Sequence, residues 1–334
     1  MISMKNRSSR TLLLTALTAA AVGVSSASLA QTTVRLGWTT SDGQTDPYAI
    51  AARYFAEELE NLAPGSFDVR FYPNHQLGNE EEMLQGMQLG TLEAGVITGT
   101  QIASVSSAFQ LNDLPFLYAD NAQAHAVLDG EVGDMLMASL EREGIIGLGF
   151  AEAGFRHVIN NTRPVATPED LSRIRLRVQP SDLFLDSFRA LGANPVPMAW
   201  SDVFSAVQQG TVDGLEIPLA VIYANQYPEV TEYLSLTNHS YNALGLLVSA
   251  QMWNRLDDDG KETMRQAARQ AIERQRETVA TNNETILDSI REAGMTVNEV
   301  DDPAAFRDRV ADVYESYRGA IGSDVLDKAL EQVQ

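Results

Sequence analysis

From Thr32 onward the chain alternates segments of two-residue period with segments of helical period, and no other feature narrows its possible folds as much. The run "TTVRLGWTT" (Thr32 to Thr40) alternates as a strand does. Pro47 then opens a helix whose apolar Ile50, Tyr54, Phe55 and Leu59 share one face. "FDVRFYP" (Phe67 to Pro73) reads as a second strand. "NEEEMLQGMQLG" reads as a helix capped by Asn79, with Glu80, Glu81 and Glu82 at its positive end and Gly90 closing it. "LEAGVIT" (Leu92 to Thr98) is a third strand. This is βαβ spacing, and it predicts an α/β fold with a mostly parallel sheet covered by helices.

The rhythm restarts after residue 150. "RHVINN" and "RIRLRV" read as strands, Ser181 to Leu191 as a helix, "NPVPM" as a short extended piece and Ser201 to Gln209 as a helix. "TVDGLEIP" is a strand stopping at Pro218, and "YNALGLLVSA" (Tyr241 to Ala250) is another apolar run. A proline-free segment from about Asp257 to Glu292 follows, capped by "DDD" and holding only one early glycine, Gly260. As a helix it would reach about 50 Å, longer than one lobe is wide, so it is expected to lie across two lobes.

The strand "RIRLRV" places Arg173, Arg175 and Arg177 on one side and Ile174, Leu176 and Val178 on the other. Either this is a half-buried strand with a solvated cationic face, or an arginine at the strand's end holds an anion. The rest of the chain makes such a cluster conspicuous. Residues 1–30 read as a secretory leader. Lys5, Arg7 and Arg10 precede the apolar core "TLLLTALTAAAVGV", and Ser28 and Ala30 set cleavage before Gln31 and export to the periplasm. The run is short for a membrane anchor. Without the leader's three cations, 21 Lys and Arg face 45 Asp and Glu. That surface disfavours nucleic acid and anionic membrane, and anion binding must come from a local cluster. The chain has no cysteine, which removes thiolate catalysis and zinc–thiolate sites.

Several segments carry a resemblance to one family. "YPNHQLGNEEEMLQGMQLGTLEAGV", "LPFLY", "GFRHVINN", "LRVQPS", "GANPVPMAWSDVFSAVQQGTVDGLEIP" and "VTEYLSLTNHSYNALGLLVS" occur in its order and spacing. The chain resembles the substrate-binding proteins of tripartite ATP-independent periplasmic (TRAP) transporters, the DctP-like family. The resemblance implies a two-lobed periplasmic-binding-protein-like fold, with a cleft between the lobes and a long helix spanning both. On this reading, 31–153 plus 243–282 form one lobe, and 154–242 plus 283–334 the other. The protein would close on an organic acid by hinge motion and deliver it to the small and large membrane subunits of a permease, as a monomer and without cofactor or metal.

The resemblance also assigns roles. Arg177, in the "LRV" strand, is expected to hold the ligand's carboxylate bidentately, with Arg173 and Arg175 facing solvent. Arg156 matches a second arginine used by some relatives, and His157 beside it is a weaker candidate. Relatives place Glu-Asn-Pro after "VDG", whereas this chain has Glu216, Ile217 and Pro218, so an amide contact is replaced by an apolar one. Trp200 stands where relatives have phenylalanine, and Trp38 ends the first strand; either indole could face a sugar ring or simply pack in the core. Asp46, Thr39, Thr98, Asn238, His239 and Glu216 are candidate partners for hydroxyl groups. Together these favour a sugar acid such as a uronate over a C4-dicarboxylate or keto acid. An exported lyase or hydrolase is the rival, but no G-x-S-x-G, H-E-x-x-H, phosphate loop or dinucleotide fingerprint is present. A receptor feeding a sensor kinase on the same fold stays open.

Overall fold

In the computed structural model, residues 31–333 are described; the predicted leader and its cleavage before Gln31 lie outside them. The first βαβ units form as the periodicity predicts. Strand β1 (Thr32–Gly37) pairs in parallel with β2 (Phe67–Tyr72) and β3 (Ala94–Thr98), and the crossovers are α1 (Pro47–Leu62) and α2 (Glu80–Gln88). Asp46 caps α1 by accepting from the N–H groups of Tyr48 and Ala49. Ile50, Phe55 and Leu59 are buried, and the Tyr54 hydroxyl meets Thr278 at 3.0 Å. After β3 the chain forms α3 (Gly99–Ile102), α4 (Asn121–Leu128) and α5 (Glu131–Ala138), then β4 (Ile145–Asn160).

Strand β4 departs from the sequence reading, which found only its last residues. It runs for 16 residues and is the seam of the molecule. Between Ile145 and Phe155 it pairs antiparallel with β9 (Tyr241–Ser249), which in turn pairs antiparallel with β3. From Arg156 to Asn160 it pairs antiparallel with β7 (Gly214–Pro218) and, over Val158 to Asn160, with β8 (Tyr233–Leu236). Gly147, Gly149 and Gly154 interrupt its alternation, and the pairing shifts register at Gly147/Gly149 and at Glu152/Gly154. The second parallel group is β5 (Arg175–Val178) between β6 (Asn194–Pro197) and β7, while β10 (Thr296–Glu299) runs parallel to β8. The sheet is therefore mixed, with two parallel groups joined through antiparallel β9 and β4. The fold is α/β and two-lobed, one lobe on each group.

Around the second group lie α6 (Asp182–Ala190), α7 (Trp200–Gln208) and α8 (Leu219–Ala224); α9 (Ala250–Trp253) precedes the long helix α10 (Asp258–Glu292). Helix α10 has 35 residues, close to the predicted span, and starts where the Asp257 carboxylate accepts from the Gly260 N–H at 2.8 Å. It packs on α1 of the first group, on α8 of the second and on β4 between them, so it straddles both lobes. Helix α11 (Pro303–Ile321) lies against α6, and α12 (Ser323–Val333) against α4 and α5. The C-terminal segment thus touches both halves. No helix among the described residues is long and apolar enough to cross a membrane.

Candidate functional site

A cleft opens between the two groups of strands, at the ends of β1, β5 and β7. The ends of sheet strands are where α/β folds gather ligands, because side chains from several loops converge there. Arg177 stands at such an end, one residue before β5 finishes. Arg175 on the same strand is exposed and paired with Asp213, while Arg173 lies before the strand in a left-handed turn at φ 66°. The alternation of the three arginines therefore resolves into two at the surface and one inside.

Arg177 is only 2% exposed. Its Nε and Nη2 donate to the Met198 carbonyl at 3.0 and 2.7 Å, and its Cζ lies 5.8 Å from the centre of the Trp200 ring. No carboxylate among the described residues is hydrogen-bonded to it. Burial lowers its pKa to about 10, more than Glu216 and Glu80 at longer range restore. Here the fold holds a buried cation against a carbonyl and a ring face, with its charge unmatched by contact.

Arg156, on β4, is buried just as deeply but is matched. Its Nε and Nη2 grip the Glu216 carboxylate, with Nη2 to Oε1 at 2.9 Å, and Nη2 also reaches the Glu216 carbonyl at 2.6 Å. Oriented with its oxygen toward the guanidinium, the Gln179 amide accepts from Nη1 and Nη2 at 2.9 and 3.1 Å. Burial pushes the Glu216 carboxyl up, but Arg156 and His239 together hold it below its usual range. His239 contributes Nε2 at 3.2 Å from Glu216, and its Nδ1 lies 2.8 Å from the Thr237 hydroxyl.

Of the residues singled out in the sequence, Arg177, Arg156, Trp200, Ile217 and Thr39 line the cleft. The other candidates lie behind or beside that lining. Trp38 is wholly buried, and its indole N–H donates to the Ser41 carbonyl at 3.1 Å. The Thr98 hydroxyl donates to Asn242 at 2.8 Å, Asp46 is occupied as the α1 cap, and Glu216 and His239 are bound to each other and to Arg156. Asn238 is exposed in a left-handed turn at φ 45°. His157 is buried, which drives its pKa down to about 3 and keeps it neutral.

The sequence reading missed Thr40, Tyr48, Asn79, Glu80, Gln101, Gln179 and Asn242 in the lining. Glu80 had been visible only as a helix-terminal acid. It does open α2, but its carboxylate turns inward, accepts from the Thr98 N–H at 2.9 Å and is 8% exposed. Burial raises its pKa to about 7 against the opposing pull of that N–H, Arg177 and Arg156. The cleft thus combines one unmatched guanidinium, one matched guanidinium, a carboxyl that titrates near neutrality, several amides and hydroxyls, and an indole wall. Such a set suits a small anion carrying hydroxyl groups.

Comparison with known proteins finds relatives that bind organic acids, with and without hydroxyl groups. The family model DctP, bacterial extracellular solute-binding protein, family 7, matches residues 39–319. The chain is 35% identical over 313 residues to the 2,3-diketo-L-gulonate-binding periplasmic protein YiaO of Escherichia coli, covering 93% of this chain and 94% of that one. The sugar acid binding protein DctPAm of Advenella mimigardefordensis, solved in complex with galactonate, matches with a TM-score of 0.87 at 32% identity, covering 91% of this chain and 98% of that one. A TRAP periplasmic solute-binding protein of Sulfurospirillum deleyianum, solved with bound succinate, matches with a TM-score of 0.85 at 30% identity, covering 91% and 99%.

Proposed function

This chain belongs to the DctP family of bacterial extracellular solute-binding proteins, the periplasmic receptors that serve TRAP permeases, and from that premise we propose that its ligand is a sugar acid. As a member it is a binding receptor rather than an enzyme, taking an organic acid and working with membrane permease subunits. The finer assignment rests on the cleft. Relatives of similar identity hold a sugar acid in one case and succinate in another, so likeness alone does not choose between them.

The choice follows from counting charge. Arg177 offers an uncompensated guanidinium to one carboxylate, whereas the charge of Arg156 is met by Glu216. A second carboxylate would share the cleft with Glu80 and Glu81 and find no unmatched cation. Hydroxyl groups would instead meet Thr39, Thr40, Gln101, Gln179 and Asn242, and a ring's C–H face would meet Trp200. Ile217, in place of an amide, adds an apolar contact on the same wall. The single observation that carries this reading is the buried guanidinium of Arg177 without a contacting carboxylate.

A calorimetric panel of D-galactonate, D-glucuronate, succinate and malate tests it. The sugar acids should bind at micromolar concentration or below, and the dicarboxylates at least ten-fold more weakly. In Arg177→Met, two charge-assisted bonds of about 1.5–3 kcal/mol each are lost, which predicts a drop in affinity of roughly a hundred-fold or more. The unliganded variant should melt no lower than wild type, because a buried unmatched cation has been exchanged for an apolar chain of similar length. A preference for succinate would refute the ligand class, and full affinity in Arg177→Met would refute the clamp.

A further inference from the structure

The loop between β1 and α1 and the end of α8 come from opposite lobes, yet they are joined by hydrogen bonds that involve no ligand. The Ser41 N–H donates to Asn225 Oδ1 at 3.1 Å, and the Ser41 hydroxyl donates to the Ala224 carbonyl at 3.1 Å. Asn225 Nδ2 donates to Asp46 Oδ2 at 3.2 Å and to the Val221 carbonyl of its own helix at 3.0 Å. Each atom of the Asn225 amide is therefore used, and two of its three bonds cross from one lobe to the other.

Both sides are built for the contact. Within the first lobe, Arg53 holds the carbonyls of Asp42 and Gly43 at 2.8 and 3.2 Å, and Thr40 Oγ1 donates to Asp46 at 2.8 Å, so the loop is shaped from its own side. A Cβ added at Gly43 would stand 3.6 Å from the Ala224 Cβ and 3.1 Å from the Ser41 hydroxyl, a measure of how closely the loop approaches α8. On the other side, Ala224 is the last residue of α8, and its carbonyl lacks a partner within the helix. Ser41 supplies that partner from the opposite lobe.

We propose that Asn225 is a positioning residue for closure: with Ser41 and Asp46 it forms a latch that holds the lobes together beside the ligand and slows its release. The latch rests on the reading of the cleft as a closing ligand site. Its neighbours make the coupling direct, since Thr39, Thr40 and Tyr48 on one side and Pro218 and Val221 on the other all line the cleft. A ligand that draws these walls together brings Ser41 onto the end of α8. The latch in turn adds closing free energy that does not depend on which acid is bound, so recognition of the ligand and retention of the ligand reside in different residues.

The protein has no native cysteine, so Gln85→Cys and Ser205→Cys place spin labels uniquely on α2 and α7. Distances are read by pulsed electron resonance with and without D-galactonate or succinate, and release rates by stopped flow. Asn225→Ala should move the distance distribution with ligand toward longer values and raise Kd roughly ten-fold, mainly through faster release. Ser41→Ala should do the same in part, and Ser41→Thr, which keeps the hydroxyl, should restore it. Unchanged distances and release rates in Asn225→Ala overturn the latch. Failure of every sugar acid to bind wild type overturns the ligand assignment instead, and succinate then serves as the closing ligand for the same comparison.

Discussion

Arg156 and Arg177 are equally buried, yet only one has a carboxylate against it. The difference separates them: Arg156 is tied with Glu216 and His239 into the wall, whereas Arg177 has only the Met198 carbonyl and the Trp200 ring, which is the basis for proposing it as the carboxylate clamp. Glu80 makes that charge balance depend on pH. Its folded pKa, about 7, lies above the ordinary 4.5, so the folded chain keeps this proton where the unfolded chain has lost it. The stability from that proton is fully present below about 4.5 and is lost as pH rises through 7. A carboxylate bound nearby raises the Glu80 pKa further, so binding takes up a proton and affinity falls above pH 7. Calorimetry of D-galactonate should show Kd rising several-fold between pH 6 and pH 8.5 in wild type and staying level in Glu80→Gln. A wild-type profile as flat as the variant's would remove Glu80 from the site. In the sequence Arg177 was one of three alternating arginines, and the family resemblance singled it out; the structure places it inside, one residue before β5 finishes. Glu80 was not legible there, since helix-terminal acids serve as caps or dipole partners in most contexts, and only the packing of α2 on β3 turns this one inward.

At the scale of elements, α10 and β4 both cross from lobe to lobe, and they meet at Gln275. Its amide lies in the middle of α10, fully buried, where the Oε1 accepts from the Glu152 N–H at 3.1 Å and the Nε2 donates to the carbonyls of Glu152 and Pro47 at 2.6 and 3.1 Å. Glu152 borders the second register shift of β4, so the side chain of a helix completes what the ladder there leaves open. Gln275→Leu keeps the volume but leaves the Glu152 N–H and carbonyl without the partner that Gln275 supplies, while the Pro47 carbonyl keeps its place in the first turn of α1. The substitution should lower stability by about 3 kcal/mol, read as a reduced urea midpoint with an unchanged slope; a loss below 0.5 kcal/mol would show that those groups find other partners. The helix was visible in the sequence almost to the residue, because 35 residues without proline admit few other structures. The strand was not, because three glycines break its period and its pairing with β9 joins segments nearly a hundred residues apart. The sheet therefore read as mostly parallel when its centre is antiparallel.

Across the whole molecule, two fields of opposite sign act on an incoming anion. Outside the predicted leader, 45 acidic residues outnumber 21 basic ones, and this field repels at long range. Arg177, the proposed clamp, is nearly closed off from solvent, so its attraction would act only at short range. Salt separates the two, since the Debye length falls from about 30 Å at 0.01 M to about 8 Å at 0.15 M. Screening should weaken the repulsion first and leave the buried pair nearly untouched. The association rate of D-galactonate, followed through Trp200 fluorescence, should thus rise modestly between 0.01 and 0.15 M salt while the release rate stays constant. This is the reverse of an electrostatically steered receptor, whose association slows as salt is added. If the association rate instead falls steeply over that range, the cleft projects a positive field beyond its mouth, and capture would be governed by long-range attraction rather than by contact with Arg177 and closure behind it.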